Sequence, residues 1–422
     1  MRYNCISMYF ASVASIFQLY FYTHKIMPKR RLVIFGLIII IFIGLFFRYA
    51  QRAPKRNYCD FRVYYNTAQR FIAKENIYSR PDEKITPFKY SPVFALITSP
   101  LAYVSQKQAS LIFFTISFIL LIILCVISKK MIVTGSLSFW QSFVFYFFPI
   151  LFSSRFIFAV LDSGQVNIMI FALIITGLYL SQKKKDILAS SLLALSVMFK
   201  YTSVIFLPYF LIRRKIKLSI FMILFMLFYC FIPAAYVGID TNSQYLKNWL
   251  PFITATSLDK GSWYDVKNQS LYSFVLRTFS ADSPFNAIIS LTFIQALIVS
   301  GAIGMLIYFL VIARKHKETE IIDYALLFLC AALFNPNAWL VNFVFFIFAY
   351  MVIMYYLLDT KFKSKPVLIF TILSFISSSW AAESVVGDRL QKFFESLSTV
   401  TLASFILCGI LLYLKFKKGE VT

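Results

Sequence analysis

The stretch from Arg31 to Ala50, "RLVIFGLIIIIFIGLFFRYA", leaves a chain few folds to choose from. It holds no acid, and its only basic residues are Arg31 and Arg48 near its ends. A helix needs ~20 apolar residues to cross a bilayer, and this run supplies them. Similar runs recur along the 422 residues, 60% of which are hydrophobic, well above the ~45–50% of soluble domains. They are continuously apolar rather than alternating, which excludes a membrane β-barrel. The fold class is therefore an all-α polytopic membrane protein.

Charge orients such a chain. Lys and Arg number 42 against 18 Asp and Glu, giving a net charge of +24. This excess does not point to nucleic acid, because it lies mostly in short clusters between apolar runs, as cytoplasmic loop charge does. The clusters are at Lys29–Arg31, Lys129–Lys130, Lys183–Lys185, Arg213–Lys215, Arg314–Lys317, Lys361–Lys365 and Lys415–Lys418. With all of them inside, ten to twelve passes fit. Spans at about 32–48, 137–160, 216–238 and 366–381 exit. Those at about 109–128, 166–182, 286–313 and 400–414 return.

Two further stretches must enter and come back. Residues 187–212 are too short for two full spans at ~1.5 Å per residue, and are expected as half-helices with Lys200 near the turn. Residues 321–358 are expected to turn at "NPN", Asn335–Asn337. Segment 91–105, with Pro92 and Pro100, reads as re-entrant or interfacial. Two large outer loops remain, about 49–90 and 239–285. Residues 27–422 read as one transmembrane domain. Residues 1–26 stand apart as an extra helix, a signal-like segment or an extension before a natural start at "MPKRRLVIFG".

Metal and disulfide chemistry are not indicated. The six cysteines form no C-x-x-C pair, and His24 and His316 both sit in basic flanks. No D-x-D motif is present to hold a metal-bound nucleotide sugar. The expectation is no cofactor.

On this topology the unusual polar residues share the outer face. Asp60 opens the first outer loop, "LDSGQVN" (Leu161–Asn167) caps two spans, Lys200 marks a hairpin turn, "KNQSLYSFVLR" (Lys267–Arg277) closes the second loop, and "FNPNAW" turns the second hairpin. Charges at membrane depth cost roughly 2.5–3.5 kcal/mol, and irregular backbone there is tolerated only inside protein or around a cavity. One polar cavity open to the outside is expected. Each member also has a plainer reading. Asp60 suits a helix N-cap, Lys200 a structural pair, "GQVN" and "NQS" tight turns, and Tyr64 and Tyr65 interfacial aromatics. The first loop carries ten basic residues between Arg48 and Lys89 against four acids. That excess breaks the orientation rule, which long loops obey weakly, or else serves an anion such as a lipid phosphate.

At these residues the chain resembles glycosyltransferase family 87. "DFRVYYNTAQRF", "IYSR" and "FKYSPVFALITSPLAYV" are similar to its D-x-x-V-Y-Y … L-Y … F-x-Y-x-P-x-x-A-x-x-x-x-P-L signature. "SGQVNIMIFALIITGLYL", "ASSLLALSVMFKYTSVIFLPYFLIRRK", "NQSLYSFVLR" and "NPNAWLVNF" resemble later elements, in order, between about Met27 and Tyr356. Two departures stand out: Ser203 where a proline is common, and Leu340–Asn342 where many members carry histidine. The resemblance implies a GT-C-like helix bundle with two outer loops in a bacterial inner membrane. It implies transfer of a hexose, mannose above all, from a polyprenyl-phosphate donor to a lipid or glycan acceptor at the outer face. It also puts Asp60 where the family carries its catalytic aspartate.

In that chemistry one base without a nucleophile implies inversion, with Asp60 accepting the acceptor's proton. Lys200, Arg277 and Arg62 are the candidates for the leaving phosphate. Gln165, Asn167, Asn268 and Gln269 offer amides to sugar hydroxyls, and Tyr64 and Tyr65 offer ring faces. The rival classes are a lipid-linked-glycan transporter or flippase, which would more often show two similar halves, and an O-antigen polymerase or ligase.

Overall fold

The computed structural model describes residues 44, 59–79, 87–257, 260–280, 290–313 and 319–418. The expected span at 32–48, Gly44 apart, and the segment 1–26 lie outside the described residues. The helix bundle belongs to the unit from Ala53 onward.

Among the described residues the chain is all helix, with one isolated bridge between Ser280 and Leu291. In chain order the helices are α1 (Cys59–Ile72), α2 (Pro92–Thr98), α3 (Gln106–Ile132), α4 (Phe139–Phe152), α5 (Ser154–Ser163), α6 (Asn167–Gln182) and α7 (Asp186–Phe199). There follow α8 (Phe206–Ile212), α9 (Ile216–Phe231), α10 (Ala234–Val237), α11 (Ile239–Ser257), α12 (Lys260–Tyr264) and α13 (Leu271–Phe279). The last are α14 (Phe293–Ile312), α15 (Glu320–Leu333), α16 (Phe346–Asp359), α17 (Lys365–Phe375), α18 (Glu383–Val386), α19 (Asp388–Ser396) and α20 (Thr399–Lys418).

Five stretches are long and apolar enough to cross a membrane: α3, α9 with α10, α14, Leu340–Asp359 ending in α16, and α20. A sixth is the pair α4 and α5, bent by 62° at the break between them. The expected straight span at 137–160 is therefore broken, at Ser153 just after the in-helix Pro149. Proline removes a helical N–H and crowds the preceding turn. Where helices start, side chains close the open N–H groups: Ser105 with Gln108, Ser138 with Gln141 and Thr292 with Gln295 form reciprocal capping boxes.

Both expected hairpins are present as broken helices. α7 ends at Phe199, Lys200 is extended (φ −154°, ψ 116°), and a 3-10 turn at Tyr201–Ile205 leads into α8. α15 ends at Leu333, and Leu340–Phe345 re-enters as a 3-10 turn leading into α16. α7, with 14 residues, is about 21 Å long at ~1.5 Å per residue, short of the ~30 Å hydrocarbon core. Its break therefore falls short of a full crossing. The segment read as re-entrant or interfacial forms α2 and a 3-10 turn at Ser99–Tyr103, with Val93, Phe94 and Ala95 in the core.

α16 is the central post. Phe346–Met354 are all buried, as expected of a helix apolar on every side. α6 packs on α7 and α3, and α7 on α9. The α6–α7 approach depends on Gly177, where an added Cβ would lie 2.8 Å from Leu193 Cγ and 3.2 Å from the Ala189 carbonyl. Small residues at helix crossings allow this closeness.

The helices share two ends. At one, Arg213 pairs with Asp323 at 2.6 Å, Lys415 with the same carboxylate at 2.9 Å, and Lys215 with Glu320. Lys215 reaches Ser181 and Lys417 reaches Tyr356, so the basic clusters after α6, α8 and α16 and in the last turn of α20 lie together. α6, α8, α16 and α20 run toward this end, and α7 and α15 run away from it. The breaks at Lys200 and Asn335 are accordingly at the opposite end, as charge counting anticipates.

Candidate active site

At that opposite end lies a cavity of about 420 Å³. Its wall includes Asp60 from α1, Lys89 and Tyr90 before α2, Gln165 between α5 and α6, Lys200 and Tyr201 at the first break, and Asn335, Asn337 and Trp339 at the second.

α1 delivers Asp60 because one of its faces is apolar. Phe61, Tyr64, Tyr65, Ala68 and Phe71 are buried while Arg62 and Gln69 are exposed, a helical spacing. Asp60 is the second residue of this helix, in its first turn, where the helix dipole favours a carboxylate. Gly164 ends α5 in the left-handed region, φ 68°, which glycine adopts without penalty. The tight turn expected of "GQVN" is thus real, and it presents Gln165 to the cavity.

Gln165 joins the walls. Its Oε1 accepts from Tyr64 at 3.0 Å and Tyr90 at 3.1 Å, and the two phenol oxygens are 2.7 Å apart. Its amide also hydrogen-bonds the Asp60 carboxyl. Burial raises the Asp60 pKa above the ordinary carboxylate value, against the pull of the Gln165 hydrogen bond and the positive charges of Lys200 and Lys89. Lys200 is held on the far wall, where its ammonium donates to Asn167 Oδ1 at 3.3 Å and to Asn342 Oδ1. Asn167 in turn donates to Val341 O at 2.7 Å and Asn342 Oδ1 at 2.9 Å. An ammonium has three N–H donors, so this arrangement leaves one to offer a ligand.

Of the ten residues singled out from sequence, Asp60, Tyr64, Gln165 and Lys200 line the cavity, and Asn167 stands behind Lys200. The rest do not reach it. Arg62 is exposed on the other face of α1. Tyr65 is buried with its hydroxyl on Val104 O at 2.9 Å. Arg277 is spent on Asn268 O at 2.7 Å, Ser398 Oγ at 2.6 Å and Asp265 O at 2.5 Å. Gln269 donates to Glu395 O at 2.9 Å and Val266 O at 2.7 Å.

Asn268 donates to Pro336 O at 2.8 Å and Ser262 O at 2.9 Å, and accepts from Ala338 N at 3.1 Å. The "NQS" element therefore straps down the Asn335–Trp339 turn that walls the cavity. Tyr64 is wholly buried and presents its hydroxyl rather than a ring face.

Sequence reasoning missed Lys89, Tyr90, Trp249 and the partnership of Asn342 with Lys200. Lys89 was legible only as one of the loop's excess cations, and Tyr90 only as the tyrosine of "FKYSP". Among the described residues no three His, Cys, Asp or Glu side chains gather as a metal site would require.

The family model of glycosyltransferase family 87 matches residues 88–341. The chain belongs to glycosyltransferase family 87. The matched range spans more than half of this membrane glycosyltransferase and includes Lys89, Tyr90, Gln165, Lys200, Asn335 and Asn337. Asp60 precedes it, so its place in the candidate site rests on geometry. No curated protein and no solved structure matches the chain.

Proposed function

We propose that this cavity is the active site of a GT-C-like enzyme that moves a hexose, mannose in the first instance, from a polyprenyl-phosphate donor to a lipid or glycan acceptor. The supporting observation is one half-buried carboxylate, Asp60, facing two lysines, Lys200 and Lys89, across a single cavity. The acceptor hydroxyl attacks the anomeric carbon as its proton passes to Asp60. The bond to the lipid phosphate breaks, and its electron pair leaves with the phosphate, whose charge Lys200 and Lys89 balance. Among the described residues no second carboxylate lines the cavity, so the reading is one displacement with inversion. Gln165 offers its amide to Asp60 and the sugar, and Asn167 supports Lys200.

The cavity end faces the periplasm or outside of a bacterial inner membrane in this reading. The basic end, rich in lysine after α6, α16 and α20, faces the cytoplasm. The break at Lys200, short of a full crossing, then lies at a depth that suits a lipid phosphate rather than a free nucleotide sugar.

The test is to incubate purified protein in vesicles with a mannosyl polyprenyl phosphate. Release of the polyprenyl phosphate, dependent on acceptor and on Lys200, supports the reading. Intact donor moved between leaflets would mean a flippase.

A further inference from the structure

The polar contacts around Asp60 form a chain that crosses three segments. Tyr64 lies one turn along α1 from Asp60, Tyr90 precedes α2, and Gln165 occupies the α5–α6 turn. Tyr64 is 1% exposed, so its hydroxyl finds partners only within the protein. The two phenol oxygens are 2.7 Å apart, and both lie within 3.1 Å of Gln165 Oε1. Each phenol has one proton. Two protons serve three contacts, so only one proton can lie between the phenols and at least one reaches the Gln165 oxygen. With that oxygen engaged, only the NH₂ of Gln165 remains to face Asp60.

We propose that Tyr64 and Tyr90 are positioning residues that lock the Gln165 amide so that its NH₂, not its oxygen, faces the Asp60 carboxylate. This inference rests on the reading of Asp60 as the base. If the amide flipped, its oxygen would meet the carboxylate and two acceptors would repel. In the locked state the NH₂ donates to the ionised form and favours it, against the effect of burial. The other charged groups facing Asp60 are Lys200 from the α7 break and Lys89 ahead of α2, and both also favour ionisation. The tyrosines therefore act on the protonation of Asp60 through Gln165.

The test needs no substrate. Infrared spectroscopy of the purified protein gives the pH midpoint of the protonated-carboxyl band that disappears in Asp60→Asn. In Tyr64→Phe and Tyr90→Phe that midpoint is expected to rise, and to rise furthest in the double variant. Gln165→Met, which removes the amide altogether, is expected to shift it the same way. An unchanged midpoint in the folded Phe variants and in Gln165→Met overturns the inference. Transfer activity of Asp60→Asn judges the base reading separately: an active Asp60→Asn removes that reading, whereas unmoved midpoints beside a dead Asp60→Asn remove only the tyrosine lock.

Discussion

Lys200 and Asn342, 142 residues apart, meet where two helices break, the ammonium donating to the amide oxygen. Neither break alone would hold a charge there. Together they fix a cation on a cavity wall with Asn167 as its second partner, 3.3 Å away.

Lys200→Met is expected to fold. Asn342 Oδ1 keeps a donor in Asn167 Nδ2, 2.9 Å away, and the acceptor that loses its lysine donor is Asn167 Oδ1, through a long contact of 3.3 Å, at a cost of ~1–3 kcal/mol. Losing a donor aimed at developing charge lowers turnover by about 10²–10³-fold. Size-exclusion of the detergent-purified variant and its transfer rate check this. Absence of folded protein would mark Lys200 as a structural partner instead.

Asn268 behaves differently. It is fully buried with carbonyls of Ser262 and Pro336 on its amide N–H groups. Asn268→Ala leaves such groups unpaired, each costing ~1–3 kcal/mol. Its melting temperature should fall, while Arg62→Ala, on the exposed face of α1, should melt as the native protein does. A cold-stable but inactive Asn268→Ala would restore it as a substrate ligand.

These two variants also mark what the sequence made legible. The spans at about 109–128, 216–238, 286–313 and 400–414, the two broken hairpins and the shared end of the basic clusters follow from apolar run length and charge, whereas the bend within 137–160 does not. The cavity's composition was half legible. A polar residue in an apolar chain signals that it is partnered, but not by what. Asn268, Gln269 and Arg277 are polar groups in an apolar chain just as Lys200 is, and they are buried for the sake of a loop. Tyr90 was hidden because tyrosine is common at membrane interfaces, and Asn342 because a neutral amide carries no charge signal.

Topology gives a third expectation. Cysteine placed at exposed Lys89 should react with an impermeant thiol reagent in intact cells. Cysteine at exposed Lys361, in the turn after α16, should react only after permeabilisation. The opposite pattern would place the cavity in the cytoplasm.

The raised pKa of Asp60 sets two pH dependences. The folded state holds the proton more tightly than the unfolded chain, so stability falls as pH rises from ~3.9, the unfolded value, through the raised folded value. Activity runs the other way: a base must be ionised, so the rate falls as pH drops through that raised value. The acid limb of kcat/KM should therefore lie above the ordinary aspartate range. A limb at or below that range would contradict burial of the reacting carboxyl.

Asp60→Asn tests the central claim most directly. Asparagine keeps the shape and an acceptor oxygen and removes a half-buried charge, so the variant should be no less stable than the native protein at neutral pH. It cannot take a proton, so transfer of the sugar from polyprenyl phosphate should drop by about 10²–10⁴-fold, the usual worth of a general base. Folded Asp60→Asn protein transferring sugar at more than about a tenth of the native rate would contradict Asp60 as the base.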